Sequence, residues 1–556
     1  MSESTACGEL VLVTPESTDL VCSAPALPTE PCPVCPHLAE KFEPYRQAAY
    51  WKAMHQRACA REEKLQARVA ELEGQIRLRE QQLFGRKSET SKATSDSLPS
   101  PVTSPKKPKP RGQQPGSCGH GRRDYSHLPQ KIEERDLLAE QCCCQECGAP
   151  FTPLGGSEDS TLLEIEVKAH RRLIRRKRYR RTCQCPASPE VVTAPKAARL
   201  IPKSILGVSI WVQFLLDKYL FYRPTYRFLE DLRSIDLDLS QGTITDGLKR
   251  LVPLFEPLYE AFVAHSQQQT LWHADETRWQ VFATIEGKVG YRWYLWVFHS
   301  APVVVFVLDS GRAHDVPEDH LGPVEEGILV VDRYAAYGAI GQVKSGKVTL
   351  AFCWAHVRRD FLAVARSYPS QQEWALEWVQ LIGELYHLND QRCQVQDQPE
   401  LFTAADTRLR DAITQMEKQA QQELDWETIP SSQRKVLQSL QNHWEGLTVF
   451  VDHPFVPMDN NAGERVQRGP VVGRKNYYGS GAAWSGQLAA MLFSLFQTLC
   501  LWKINARKWL TAYLEACAQA GGVAPQDLEA FLPWNLSEER LQQWSFEQKK
   551  DPNDTS

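Results

Sequence analysis

The stretch Leu271–Trp279, LWHADETRW, decides how the rest of the chain is read. An apolar segment gives way here to polar residues, and Asp275 stands at the change. Alone it is an ordinary strand-end acid facing water. Two later stretches alter its weight. Gly327–Arg333, GILVVDR, is a second short apolar run closing on an acid, Asp332, and Met458–Arg465, MDNNAGER, sets Glu464 at a helix start. Acids at the ends of two strands and on a later helix can converge around divalent ions. Two such ions clamp the attacking and leaving oxygens of an in-line phosphoryl displacement.

Outward from this centre, residues 270–357 have the periodicity of strands: LWHAD, RWQVFAT, YRWYLWVFH, VVVFVLD, ILVVD and VTLAFCWAH. A helical segment, Ala313 to Leu321, interrupts them before ILVVD. Three neighbouring strands followed by helix and strand in alternation describe a mixed sheet with helices packed on it. That order matches a ribonuclease-H-like (retroviral-integrase-like) core. Residues 355–450 read as helical, rich in Gln, Glu, Leu and Trp, and separate Asp332 from Glu464 as an insertion. The apolar stretch Leu488–Trp502 is expected to be a helix closing the core.

Upstream, residues 205–262 read as three helices. In the last, Ile244, Leu248 and Leu251 mark a buried face and leave Lys249 and Arg250 outside. A helix-turn-helix approaching DNA and a set of helices bridging two domains both fit. Before them, Cys144 and Cys147 (CQEC) and Cys183 and Cys185 (CQC) form two knuckles suited to a tetrahedral zinc. Between the knuckles VKAHRRLIRRKRYRR, with Arg175, Arg176, Lys177 and Arg178, is suited to sequence-independent contact with a DNA backbone. Further upstream, Leu65, Val69, Leu72, Ile76 and Leu83 form a heptad seam, for a short coiled coil joining subunits or a helix packed on its own protein.

Composition bounds the class. The chain has 556 residues, 42% hydrophobic and 24% charged, the balance of a multidomain globular protein. Its net charge of −4 hides an asymmetry: residues 101–200 hold 19 Lys and Arg against 11 Asp and Glu. Such a region suits a polyanion or a solvated face. The start MSESTACGEL lacks a signal-peptide pattern, and stretches such as Ile205–Leu216 are too short to span a bilayer, so a cytoplasmic protein without a membrane partner is expected. The 16 cysteines then read as thiols and metal ligands.

These residues resemble the transposases of the insertion-sequence 66 type, within the wider DDE group. QLFGRKSE is similar to the end of that family's leucine-zipper-like helix, GQQPG to its linker, and ECGAPF with TCQCP to its zinc-binding domain. HADET, VVDRYAAYG, CWAHVRRDF and DNNAGERVQRGPVVGRKNYYGSG resemble its catalytic blocks, and LPWNL its C-terminal signature. Two positions depart: Gly463 stands where the family has Ala, and Cys183-x-Cys185 where CxxC is commoner. The resemblance implies Asp275, Asp332 and Glu464 as a DDE triad binding two Mg²⁺ (or Mn²⁺), and one structural Zn²⁺. It also implies action on terminal inverted repeats and target DNA in a bacterial, nucleoid-associated setting, with self-association and accessory proteins of the same element as partners.

Arg465, Arg468, Arg474 and Lys475 follow the Glu and are placed to hold phosphates, with NYYG supplying rings for an unpaired base. His356 reads equally as a phosphate-orienting or proton-transferring group and as a structural histidine. The resulting organisation is an irregular segment 1–50, a leucine-zipper-like helix 51–87, a flexible basic linker 88–130 and a zinc-binding domain 131–200. A helix-turn-helix-like region 201–265, a catalytic domain 266–505 with a helical insertion at about 360–450, and a helical C-terminal segment 506–556 complete it. A non-catalytic DNA-binding regulator and a nuclease that cuts without joining are the competing classes.

Overall fold

The computed structural model describes residues 35–84, 191–284 and 290–546, with 130, 132, 146, 149, 162–163, 167–180 and 182. The chain separates into two units, Met1–Lys87 and Ser88–Ser556. In the first, a single helix α1 spans Cys35–Phe84. It begins well inside the segment expected to be irregular. Residues 35–50 contain no glycine, and Ala, Glu, Lys, Gln and Leu there favour helix over Pro44, which costs about 3 kcal/mol inside a helix. The seam residues Leu65, Val69, Leu72 and Ile76 are exposed on α1. Residues 88–129 of the expected linker, and all four zinc-knuckle cysteines, lie outside the described residues.

The second unit opens with an antiparallel ribbon, β1 (Arg178–Arg180) and β2 (Val191–Thr193). Helices α2 (Val208–Leu215), α3 (Thr225–Ser234) and α4 (Gln241–Gln267) follow. Ser240 caps α4 by accepting from the Thr243 amide. Gly247 lets α4 approach α2 closely, since a Cβ there would lie 2.1 Å from the Trp211 ring.

The sheet comes next: β3 (Leu271–Gln280), β4 (Arg292–His299), β5 (Val304–Asp309), β6 (Gly327–Val331) and β7 (Val348–Phe352). Short helix α5 (Asp315–Leu321) links β5 to β6, and one-turn helices α6 (Ala335–Gly338) and α7 (Gly341–Lys344) link β6 to β7. The strand order is β5-β4-β3-β6-β7, antiparallel among the first three and parallel from β3 through β6 to β7. Helices α8 (Trp354–Ser367), α9 (Gln372–Gln394), α10 (Pro399–Leu424), α11 (Ser431–Asn442) and α12 (Trp444–Asp452) follow β7. The chain then returns to the sheet as α13 (Asn461–Tyr477) and α14 (Ala483–Leu501), and ends in α15 (Ala506–Gln519) and α16 (Glu538–Trp544).

Strand alternation divides the core. Trp272, Ala274, Trp296, Leu329 and Val331 pack with α5 and Tyr337 of α6 on one face. On the other, Trp279, Leu295, Val297 and Phe306 meet α4 and α14, while Ile328, Val330 and Ala351 meet α8 to α12. Each large apolar side chain buried this way contributes about 1.5–3 kcal/mol. Helix α14 is long and apolar enough to cross a membrane, but 61% of it is buried here. Its Ser494 and Thr498 hydroxyls accept from the Phe306 and Val304 amides at 2.8 and 3.0 Å, covering the open edge of β5.

Candidate active site

Asp275 lies on β3, Asp332 directly after β6, and Glu464 in the first turn of α13. The parallel register pairs Leu271 with Ile328, Trp272 with Leu329 and His273 with Val330. Carried two positions further, it sets Asp275 beside Asp332.

Helix α13 is fixed over β3 by amides on both sides of Glu464. Asn460, just before the helix, accepts from His273 Nδ1 at 3.0 Å and donates to the Ala274 carbonyl at 2.7 Å. One turn beyond Glu464, buried Gln467 donates to the carbonyls of Asp275 at 3.2 Å and Leu295 at 3.1 Å. Gly463 fits this approach, since a Cβ there would stand 3.0 Å from Asn460 Oδ1 and 3.4 Å from His273 Cβ.

Burial pushes the Asp275 carboxyl up to about 8, with further increments from the charges of Glu276, Glu464 and Asp332. Asp275 therefore lies within reach of the charges of Asp332 and Glu464. Asp275 Oδ1 accepts from the Glu276 amide at 2.9 Å and Asp332 Oδ1 from the Tyr334 amide at 3.0 Å. Glu464 is ion-paired: Arg359 Nη2 lies 2.8 Å from its Oε1, and His356 Nε2 lies 3.8 Å from the same oxygen. Burial lowers His356, as does the charge of Arg359, against opposing pulls from Glu464 and Asp332.

Hard carboxylate oxygens with excess negative charge are the donor set that Mg²⁺ takes, and in chemistry these residues fit it. Among the described residues, however, no three His, Cys, Asp or Glu side chains stand close enough to hold one ion as they are. Glu464 is turned to Arg359 instead.

Strand alternation turns Glu276 away from Asp275, onto the face of Trp272 and Ala274, where its side chain is 3% exposed and engaged at both oxygens. Arg312 Nε donates to Oε1 at 2.9 Å and the Tyr337 hydroxyl to Oε2 at 2.8 Å. Burial raises Glu276 while these two bonds lower it. Arg474, expected to face phosphate, is turned inward to Thr277 Oγ1 at 3.1 Å and to the Arg278 carbonyl, because this part of α13 lies along β3. Arg465, Arg468 and Lys475 are exposed on α13, as are Lys249 and Arg250 on α4. Arg175, Arg176, Lys177 and Arg178 are exposed along the ribbon, with Arg176 donating to the Ala194 carbonyl at 2.6 Å. None of these basic residues shares a hydrogen bond or ion pair with the three carboxylates among the described residues. The reading of single stretches missed Arg359, Asn460, Gln467 and His273. All four lie in the blocks that carry the family resemblance: His273 in HADET, Arg359 in CWAHVRRDF, and Asn460 and Gln467 in DNNAGERVQRGPVVGRKNYYGSG.

Comparison with known proteins defines the class as a transposase, a protein that acts on DNA: the family model described as Transposase IS66 family matches residues 203–488. The chain belongs to the IS66 transposase family. It is also similar to three proteins of Sinorhizobium fredii, all bearing the description "uncharacterized protein". With y4jD it shares 26% identity over 76% of this chain and 84% of that one. The figures for y4hP are 24% over 73% and 76%, and for y4qI 24% over 77% and 80%.

Proposed function

We propose that this transposase cleaves DNA at the ends of an insertion sequence and joins the freed 3′-hydroxyls to target DNA, using Asp275, Asp332 and Glu464 as a DDE triad. The observation that carries the reading is that Asp275 on β3 stands beside Asp332, directly after the adjacent parallel strand β6, with the helix of Glu464 tied over β3, and that the charges of Asp332 and Glu464 both raise the Asp275 carboxyl. The strand order, three antiparallel then two parallel, supports a ribonuclease-H-like core with α9 to α12 as its insertion.

Two Mg²⁺ ions, or Mn²⁺ in their place, would be held by the three carboxylates and would supply stabilisation of charge at the attacking and leaving oxygens. The chain's own residues do the rest. Exposed Arg465, Arg468 and Lys475 orient phosphates on either side of the scissile bond, and His356 faces the same carboxylate cluster. Water attacks phosphorus in the first step and expels a 3′-oxygen. That 3′-hydroxyl attacks a target phosphate in the second and expels a 3′-oxygen of the target strand, so one site serves both. The ribbon arginines and α4 add affinity independent of sequence, and inverted repeats are the substrate ends.

Strands cut and strands joined, scored separately on candidate inverted repeats with Mg²⁺, test this reading. Both products should appear and both should vanish with Glu464→Gln. Cutting without joining would identify a nuclease, and salt-sensitive binding with neither product a regulator. One Zn²⁺ held by Cys144, Cys147, Cys183 and Cys185 belongs to the same reading. Metal analysis of the full chain purified without chelator should find it, and a zinc-free protein would exclude it.

A further inference from the structure

We propose that Arg359 is a positioning residue that holds Glu464 in reserve, so that a divalent cation must take Glu464 from it. The inference rests on the reading of the three carboxylates as ion ligands and names what controls their assembly. Of the three, Glu464 alone is ion-paired among the described residues, with Arg359 Nη2 at 2.8 Å. The other two accept backbone amides at one oxygen each.

The pair is held from both sides. Asn460 and Gln467 fix the helix of Glu464, as described above. On the other side, the start of α8 is anchored by the Cys353 amide on the Val331 carbonyl at 3.0 Å, the Trp354 amide on the Met458 carbonyl at 2.9 Å, and Trp354 Nε1 on the Leu447 carbonyl at 2.7 Å. One residue beyond Arg359, Asp360 is paired with Arg333, the neighbour of Asp332. Arg359 therefore faces Glu464 from a braced helix. His356 Nε2 stands farther off, 3.8 Å from the same oxygen, so the guanidinium is the close partner of this carboxylate.

A guanidinium and a divalent ion then compete for one carboxylate. The Arg359 released when the ion wins stands among the carboxylates with all its donors free. A phosphate of the DNA backbone has the geometry and charge to take it. Ion and DNA thus each accept one half of a broken pair, and each favours the other's binding.

The test is Mn²⁺ titration of the full chain, with free ion followed by electron paramagnetic resonance and no DNA or turnover required. Arg359→Ala and Arg359→Gln should each bind Mn²⁺ about three- to tenfold more tightly than the parent, the modest range reflecting a pair about one-third exposed. Arg359→Lys keeps a cation and should remain near the parent. In a Glu464→Gln background, Arg359→Gln should change nothing, because the competition has lost its object. Unchanged or weaker Mn²⁺ binding in a folded Arg359→Gln protein overturns the proposal. Should Asp275→Asn and Glu464→Gln leave Mn²⁺ binding as it was, the carboxylate reading fails first and the role of Arg359 fails with it. Tighter binding in Arg359→Gln that persists without Glu464 would overturn the positioning role alone.

Discussion

Gln467 donates its side-chain amide to the carbonyl oxygen of Asp275 at 3.2 Å, so the helix carrying one candidate ligand is tied to the strand carrying another. The same amide reaches the Leu295 carbonyl, and two turns earlier Asn460 makes the matching tie to Ala274. Replacing Gln467 with Leu keeps the volume and removes both bonds. Two buried carbonyls lose a donor, at a cost of about 1–3 kcal/mol in total. Urea denaturation should register that loss. Strand joining should fall further than stability alone explains, because α13 can then shift over β3. A Gln467→Leu protein with full stability and full joining would separate the tie from the site.

Asp275 gives a pH dependence of definite sign. Its folded carboxyl is pushed up to about 8 by burial and neighbouring charge, whereas an unfolded Asp titrates near about 4. Between those values the folded chain keeps a proton that the unfolded chain has released. Stability of the metal-free protein therefore falls as pH rises through that window. Asp275→Asn removes the linkage. Melting temperatures in EDTA should coincide for parent and variant near pH 4 and diverge toward pH 8, where the variant is more stable by roughly 2 kcal/mol after allowance for partial exposure. Parallel melting curves across this range would show that the folded Asp275 carboxyl is not raised.

Glu276 now has a definite expectation of its own. Its carboxylate receives Arg312 and the Tyr337 hydroxyl in a buried setting, so Glu276→Gln should destabilise by about 1–3 kcal/mol. The appropriate control is Glu325→Gln, an exposed partner of Lys347, which should move stability by under about 1 kcal/mol. Thermal melting of the two variants under one condition decides this, and equal effects would contradict the packing assigned to Glu276.

The contrast between these residues shows how far a sequence can be read. Asp332 is legible because an apolar run that stops at an acid is a local pattern, and Glu464 because a helix start is one too; Asp275, expected at a strand end, stands mid-strand, because β3 runs on through the polar residues to Gln280 by pairing with β4. Glu276 is opaque because alternation says which face a side chain takes but not what covers that face; here α6 and Arg312 cover it. Arg474 fails for the same reason, since helical spacing does not reveal that α13 lies along β3. Arg359 meets Glu464 across 105 residues of chain, a distance over which only the folded insertion carries information.

The seam of α1 yields the last prediction. Leu65, Val69, Leu72 and Ile76 are 43–60% exposed on a 50-residue helix, spaced four, three and four apart. In heptad terms β-branched Val69 and Ile76 take the a positions and Leu65 and Leu72 the d positions, the combination that favours two parallel strands. Arg79 falls at the next d position, a polar interruption of the kind that fixes register at some expense of stability. Flanking pairs Arg68–Glu71 and Arg77–Glu73 lie within one helix. A dimer through α1 would bury four apolar side chains per chain, each worth up to about 1.5–3 kcal/mol. Placing charge there should prevent it, because like carboxylates would face one another across the seam. Light scattering on full-length Leu65→Glu/Leu72→Glu should give half the parent's mass, with the melting of the second unit unchanged. If the parent is monomeric, or the variant keeps the parent's mass, α1 does not join subunits and its apolar stripe needs another partner.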